Sequence, residues 1–132
     1  NTGFGISYAL PIIVTCLLAE KDRFVIIENP EAHLHPAAQS KIGYFLAKMA
    51  SAGLRIVVET HSDHIINGIQ LAVAKKEIES SHTTINDFDK GEQQPKVHSI
   101  SMNEKGELDK WPKGFFDQTE IDFAKLIELR RK

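Results

Sequence analysis

Arg23-Phe24-Val25-Ile26-Ile27-Glu28 and, one helix length later, Arg55-Ile56-Val57-Val58-Glu59 are the stretches whose reading decides the fold. Each is a short apolar run ending in a charge. Neither shows the polar–apolar alternation of a half-buried strand, so both read as strands covered on both faces of a parallel sheet. Between them Pro36 opens a helix, Ile42, Phe45, Leu46 and Met49 recur at helical spacing, and Gly53 closes it. Strand, helix, strand implies a parallel pair joined by a right-handed crossover. Such sheets bind ligands at the carboxyl ends of their strands. Those ends carry Glu28 and Glu59-Thr60-His61.

Working outward, the run Leu10 to Leu18 predicts a helix capped by Ser7, with Pro11 in the first turn, where its missing N–H costs little. After the second strand, Ser62 starts a third helix with Ile65, Ile66, Ile69, Ala72 and Val73 on one stripe. The character then changes. Lys75 to Thr83 is polar. Thr84 to Phe88 and Lys96 to Met102 read as two strands joined by a polar loop through Gly91 and Pro95, and Asn103 to Gly106 reads as a turn. Trp111-Pro112-Lys113-Gly114-Phe115-Phe116 is an aromatic loop, and Thr119 to Lys132 a final amphipathic helix with Phe123, Leu126 and Ile127 on its face. The expected division is an α/β unit over residues 1–80 and a small α+β tail over 81–132.

Composition narrows the class. At 132 residues, 42% hydrophobic and 26% charged, the chain is an ordinary globular sequence with room for a modest core. A net charge of −2 gives no whole-chain basicity that would call for nucleic acid. The single cysteine, Cys16, rules out a disulfide framework and reads as a small buried hydrophobe, so the cytoplasm is the expected compartment. The apolar run Ala9 to Ala19 is too short for a bilayer and follows no basic segment, so no membrane partner is expected. The chain starts at Asn1-Thr2-Gly3, within a motif and without methionine, and a longer parent protein is expected.

Four apolar residues leading to Glu28 are what a Walker B strand requires, since its end must offer a carboxylate to magnesium, usually through water. Glu28-Asn29-Pro30-Glu31-Ala32-His33-Leu34-His35-Pro36 continues at once, and Glu59-Thr60-His61-Ser62 follows one helix later. As a set these residues resemble the ABC-type ATPases related to the RecF and SMC proteins and the overcoming-lysogenization-defect nucleases. The resemblance covers roughly residues 1–75, carried by Glu28, Pro30, Glu31, Leu34, His35 and Pro36, by the Thr-His pair, and by Gly3-Phe4-Gly5-Ile6-Ser7, which looks like the signature segment. The tail with Trp111 to Gln118 resembles the small C-terminal domain of unknown function that ends one subgroup of these ATPases.

The resemblance implies the C-terminal half of a P-loop NTPase sheet and a set of roles. Glu28 would be the Walker B acid near magnesium, and His61 would hydrogen-bond the γ-phosphate. Leu34-His35-Pro36-Ala37 would face an opposing subunit. Gly3, Gly5 and Ser7, with His35, would meet the partner's nucleotide in trans, at a helix N-terminus suited to anions. Where these ATPases place a catalytic glutamate stands Asn29, whose amide can orient a water but cannot take its proton. Either Glu31 substitutes, or hydrolysis is slow and the head switches mainly on ATP binding; the second is favoured, because Glu31 sits beyond a proline.

No G-x-x-x-x-G-K-[ST] occurs in the chain. The polypeptide alone is therefore expected to be inactive, and to associate with itself or with a chain carrying the Walker A half. The expected function is one side of an ATP-hydrolysing head, with ATP and magnesium, of a DNA-repair or phage-defence type, working as a homodimer; a nucleic-acid partner stays open. The alternatives are a nucleotide-gated scaffold with little hydrolysis and the ATPase subunit of a nuclease-coupled defence system. His33, His35, His61 and His64, with Glu28, Glu31 and Asp63, offer donors to a transition metal, but their spacing is not that of a helical zinc pair. The aromatic loop reads as a lid under the last helix rather than a base-stacking surface, and Arg130-Arg131-Lys132 as a solvated helix end.

Overall fold

The computed structural model describes residues 3–89 and 94–131; Gly91 of the expected polar loop and Lys132 of the terminal basic run lie outside them. In order come α1 (Gly3–Leu18), β1 (Phe24–Glu28), α2 (Pro36–Ser51), β2 (Arg55–Glu59) and α3 (Asp63–Ala74). A turn of 3-10 helix (Ser80–His82), β3 (Ile85–Asp89), β4 (Lys96–Ile100) and α4 (Gln118–Arg130) complete the chain. β1 and β2 pair in parallel, from Phe24 opposite Arg55 to Glu28 opposite Glu59. β3 and β4 form a separate antiparallel pair. The fold is α/β: a parallel two-stranded sheet flanked by helices, with a small antiparallel tail.

Strand side chains alternate between faces, and here packing reaches one face. Val25 and Ile27 enter a core with Cys16 of α1, Ile42 and Leu46 of α2, and Ile65 of α3. On the other face Phe24, Ile26 and Val57 are 65%, 73% and 52% exposed. The expectation of strands covered on both sides is thus corrected, because every buried residue packed on the sheet lies on the side of Val25 and Ile27.

Two helix expectations also change. α1 begins at Gly3, so Ser7 lies inside it and Pro11 sits mid-helix, without an N–H for the carbonyl one turn back. The early turns are held from outside: Leu34 touches the space beside Gly5, and the Tyr8 ring stacks on His33 at 4.3 Å. At the other end, α4 buries no residue, and its Phe123, Leu126 and Ile127 stripe is exposed. The aromatic loop is not a lid beneath it. Phe115 is buried against Ile66 and Ile100 instead, while Trp111 stays half exposed, edge-on to Phe115 at 5.1 Å.

α2 and α3 cross at very close range because two glycines face each other's backbone. A Cβ at Gly43 would overlap the Ile65 carbonyl oxygen, and a Cβ at Gly68 would overlap that of Ser40. The tail closes on the same pair. Ala47, Ala72 and Val73 share a core with Ile78 and Met102. Gly106, at φ 80°, lies against the Gln70 carbonyl, and its own carbonyl accepts from Gln70 Nε2 at 2.7 Å.

Gly68→Ala is expected to cost about 3 kcal/mol of unfolding free energy, since a rigid backbone carbonyl must move to admit the methyl. Chemical denaturation measures this, and an unchanged midpoint would show that the crossing is looser than described.

Candidate functional site

β1 ends at Glu28 and the chain turns sharply. Asn29 takes a left-handed backbone, φ 47°, and its N–H donates to the Glu59 carbonyl at 2.9 Å. Asparagine tolerates that conformation better than most residues, which accounts for its presence at this point of the turn. The Ala32 and Leu34 N–H groups then donate to the Asn29 and Glu31 carbonyls, each at 3.0 Å, and His33 is left-handed at φ 61°. His35, extended before Pro36 as a residue preceding proline must be, caps α2 by accepting the Ala37 N–H on Nδ1 at 3.3 Å.

The parallel register brings the two strand ends level. Glu28 and Glu59 stand abreast on the uncovered face, and both are exposed. The His61 side chain is 81% exposed, with Nε2 3.8 Å from Glu59 Oε1, a solvated pair of little energetic weight.

Glu31 behaves differently from its acidic neighbours. Its carboxylate accepts the Thr60 hydroxyl at 2.8 Å and the His61 N–H at 2.7 Å. The bonds continue into a closed ring. The Ser62 N–H donates to Thr60 Oγ1 at 3.1 Å, the Ser62 hydroxyl to Gln39 Oε1 at 2.5 Å, and Gln39 Nε2 to the Leu34 carbonyl at 2.8 Å. The Leu34 N–H then returns to the Glu31 carbonyl. Ser62, 7% exposed, also caps α3 by accepting the Ile65 N–H at 3.4 Å. His61 therefore has an exposed imidazole on a backbone tied to Glu31.

Of the residues singled out from sequence, Glu28, Asn29, Glu31 and His61 gather at this edge, and His35 lies a few residues along the same turn. Gly5 and Tyr8 bring the first turns of α1, with Gly3 at its start and Ser7 inside, alongside that turn. The histidines do not converge: His33 stacks on Tyr8, His35 caps α2, and His64 leans on Asp63 at 3.7 Å. Among the described residues no three His, Cys, Asp or Glu side chains come together as metal ligands. Sequence reading missed the parts of Gln39, Thr60 and Ser62. Ser62 alone carried a signal, as a helix cap before an apolar stripe; that Gln39 would meet it follows only from the crossing of α2 and α3.

Residues 1–67 match the family described as "AAA domain, putative AbiEii toxin, Type IV TA system". The chain belongs to this AAA-domain family. That places the parallel unit among the P-loop ATPases, and the Glu28 and His61 strand ends lie within the matched AAA segment. Residues 78–126 match a family described as "Protein of unknown function (DUF3696)", which spans both tail strands, the aromatic loop and most of α4. No curated protein and no solved structure matches the chain. Among the described residues no helix is long and apolar enough to cross a membrane.

Ser62→Ala removes the α3 cap and a ring member together. A loss of about 2 kcal/mol is expected in denaturant unfolding. A loss below about 0.5 kcal/mol, the scale of an ordinary surface change, would mean that the ring is not held in solution.

Proposed function

We propose that this chain is the acid-and-switch side of an ABC-type ATPase head, which binds ATP with magnesium and closes on a second head. The observation that supports it is the level parallel register, which sets Glu28 and His61 on adjacent strand ends at the ligand-binding edge of an AAA-family sheet. In this reading Glu28 is the Walker B acid and His61 meets the γ-phosphate. The donor chemistry fits magnesium: Glu28 offers exposed carboxylate oxygens beside those of Glu59, and a hard ion of this kind takes one or two carboxylates, water and substrate phosphates. Bound there, the ion would neutralise charge that develops on the transferring phosphoryl group. The chain's own residues do the rest by position. Glu28 fixes the acidic end, the ring holds the His61 backbone, and α1 sets Gly3, Gly5 and Ser7 beside the turn that would face the opposing head with His35.

The phosphate cradle itself is no part of these residues, so the head is completed by a Walker A segment from outside them. The uncovered sheet face, with Phe24, Ile26 and Val57, offers apolar area for that completion. A DNA-repair or phage-defence setting, with a nucleic acid or a nuclease as further partner, is a finer reading that rests on the resemblance alone.

Asn29 favours slow hydrolysis and a head that switches chiefly on binding. The left-handed turn carries an amide where a carboxylate would take the water's proton, and Glu31 is engaged with Thr60 and His61.

ATP binding and turnover in the protein with its Walker A segment present test the assignment. Glu28→Gln and His61→Ala are each expected to lower turnover by roughly 100-fold or more, the scale of a lost charge-stabilising group. Nucleotide binding that never appears, or turnover indifferent to both changes, would overturn the reading. Asn29→Asp keeps a residue that tolerates the left-handed backbone and installs a carboxylate. It is expected to raise turnover, and unaltered turnover would remove Asn29 as the brake.

A further inference from the structure

We propose that Glu31 is a positioning residue: it acts through His61, by anchoring that residue's backbone to the turn after β1, and takes no proton from the reacting water. This rests on the ATPase reading above and specifies how its switch residue is held. Both oxygens of Glu31 are committed, Oε2 to the Thr60 hydroxyl at 2.8 Å and Oε1 to the His61 N–H at 2.7 Å. These are hydrogen bonds to an ionised acceptor, the stronger kind. A general base aims an acceptor site at its water, whereas two of the carboxylate's about four sites point at the strand end and fix its direction there.

The consequence follows from the ring's closure. Glu31, Leu34 and Gln39 belong to the turn and to the start of α2, whereas Thr60, His61 and Ser62 belong to the end of β2 and the cap of α3. A shift of the turn that faces outward at His33 and His35 therefore reaches the His61 backbone through two short bonds, while the imidazole stays exposed beside Glu59. Thr60 serves as the hinge pin, since its hydroxyl donates to Glu31 and accepts from the Ser62 N–H. An amide of the same size removes the negative charge, so Glu31→Gln leaves at best two neutral hydrogen bonds in place of two charge-assisted ones.

The test is a double-mutant cycle on ATP turnover in the complete head, paired with amide hydrogen exchange at His61. Glu31→Gln is expected to lower kcat roughly 10- to 100-fold, the scale of charge assistance lost from two hydrogen bonds, with KM for ATP little changed. In the His61→Ala background the same change is expected to lower kcat no further. Exchange at the His61 amide is expected to quicken in Glu31→Gln by more than exchange at the buried α2 and α3 amides, which open only with global unfolding. Thr60→Val, which removes the other donor to Glu31, should reproduce the kcat loss. A full additional loss in the His61→Ala background would make Glu31 an independent catalytic group and overturn the proposal. Unchanged exchange at the His61 amide would overturn it as well, and that readout stands even if the head proves not to hydrolyse ATP, an outcome that would sink the ATPase reading instead.

Discussion

The bare backbone contact between α2 and α3 is the constraint on which the remainder depends. Two glycines, Gly43 and Gly68, let each helix lay a carbonyl against the other where any Cβ would intervene. Close approach places Ile65 in the sheet core at 0% exposure and puts its neighbour Ser62 within hydrogen-bond reach of Gln39. The Ser62–Gln39 bond is the link that closes the ring beneath His61. With the helices even one methyl further apart, the cap of α3 and the start of α2 would be tied only through water. The packing of two helix faces is thus what fixes a strand end some residues away. The tail depends on the same pair, since Ala47 of α2 and Ala72 and Val73 of α3 supply one side of its core.

Much of this was legible in the residues. The two apolar runs ending in glutamate gave β2 residue for residue and β1 to within one, and Pro36 and Ser62 marked where α2 and α3 begin or are capped. These are local signals: hydrophobic period, a missing N–H, a side-chain oxygen able to cap. What was not legible is relational. A Pro11 that looked tolerable only in a first turn lies mid-helix, because Tyr8 on His33 and Leu34 beside Gly5 hold the earlier turns in place. Runs that looked buried on both faces are covered on one, because hydrophobicity reports what a strand is suited to and not what reaches it. The α4 stripe of Phe123, Leu126 and Ile127 likewise had the right period, yet it buries nothing within the chain.

The site divides along the same line. Glu28 and His61 were singled out by type and order, but the difference between Glu28 and Glu31 was not visible there. Both are glutamates of one short motif, and only distances separate them: one carboxylate is free at the sheet edge, the other accepts two donors from the neighbouring strand. A carboxylate's chemistry is decided by what already occupies its lone pairs, and sequence spacing is silent on that.

Asn29 shows how a local backbone demand and a chemical demand compete for one position. The turn after β1 needs a residue that accepts φ 47° and an N–H aimed at the Glu59 carbonyl. Asparagine meets the first demand at lower cost than glutamate, by about 1 kcal/mol, and any residue but proline meets the second. The same turn then needs something to hold it against β2, and Glu31 does so two residues on. The Glu31 carboxylate is spent on geometry, and the residue directly after the strand-end acid is an amide. In the proposed reading, slow hydrolysis and a His61 backbone tied to Glu31 are two results of one tight turn.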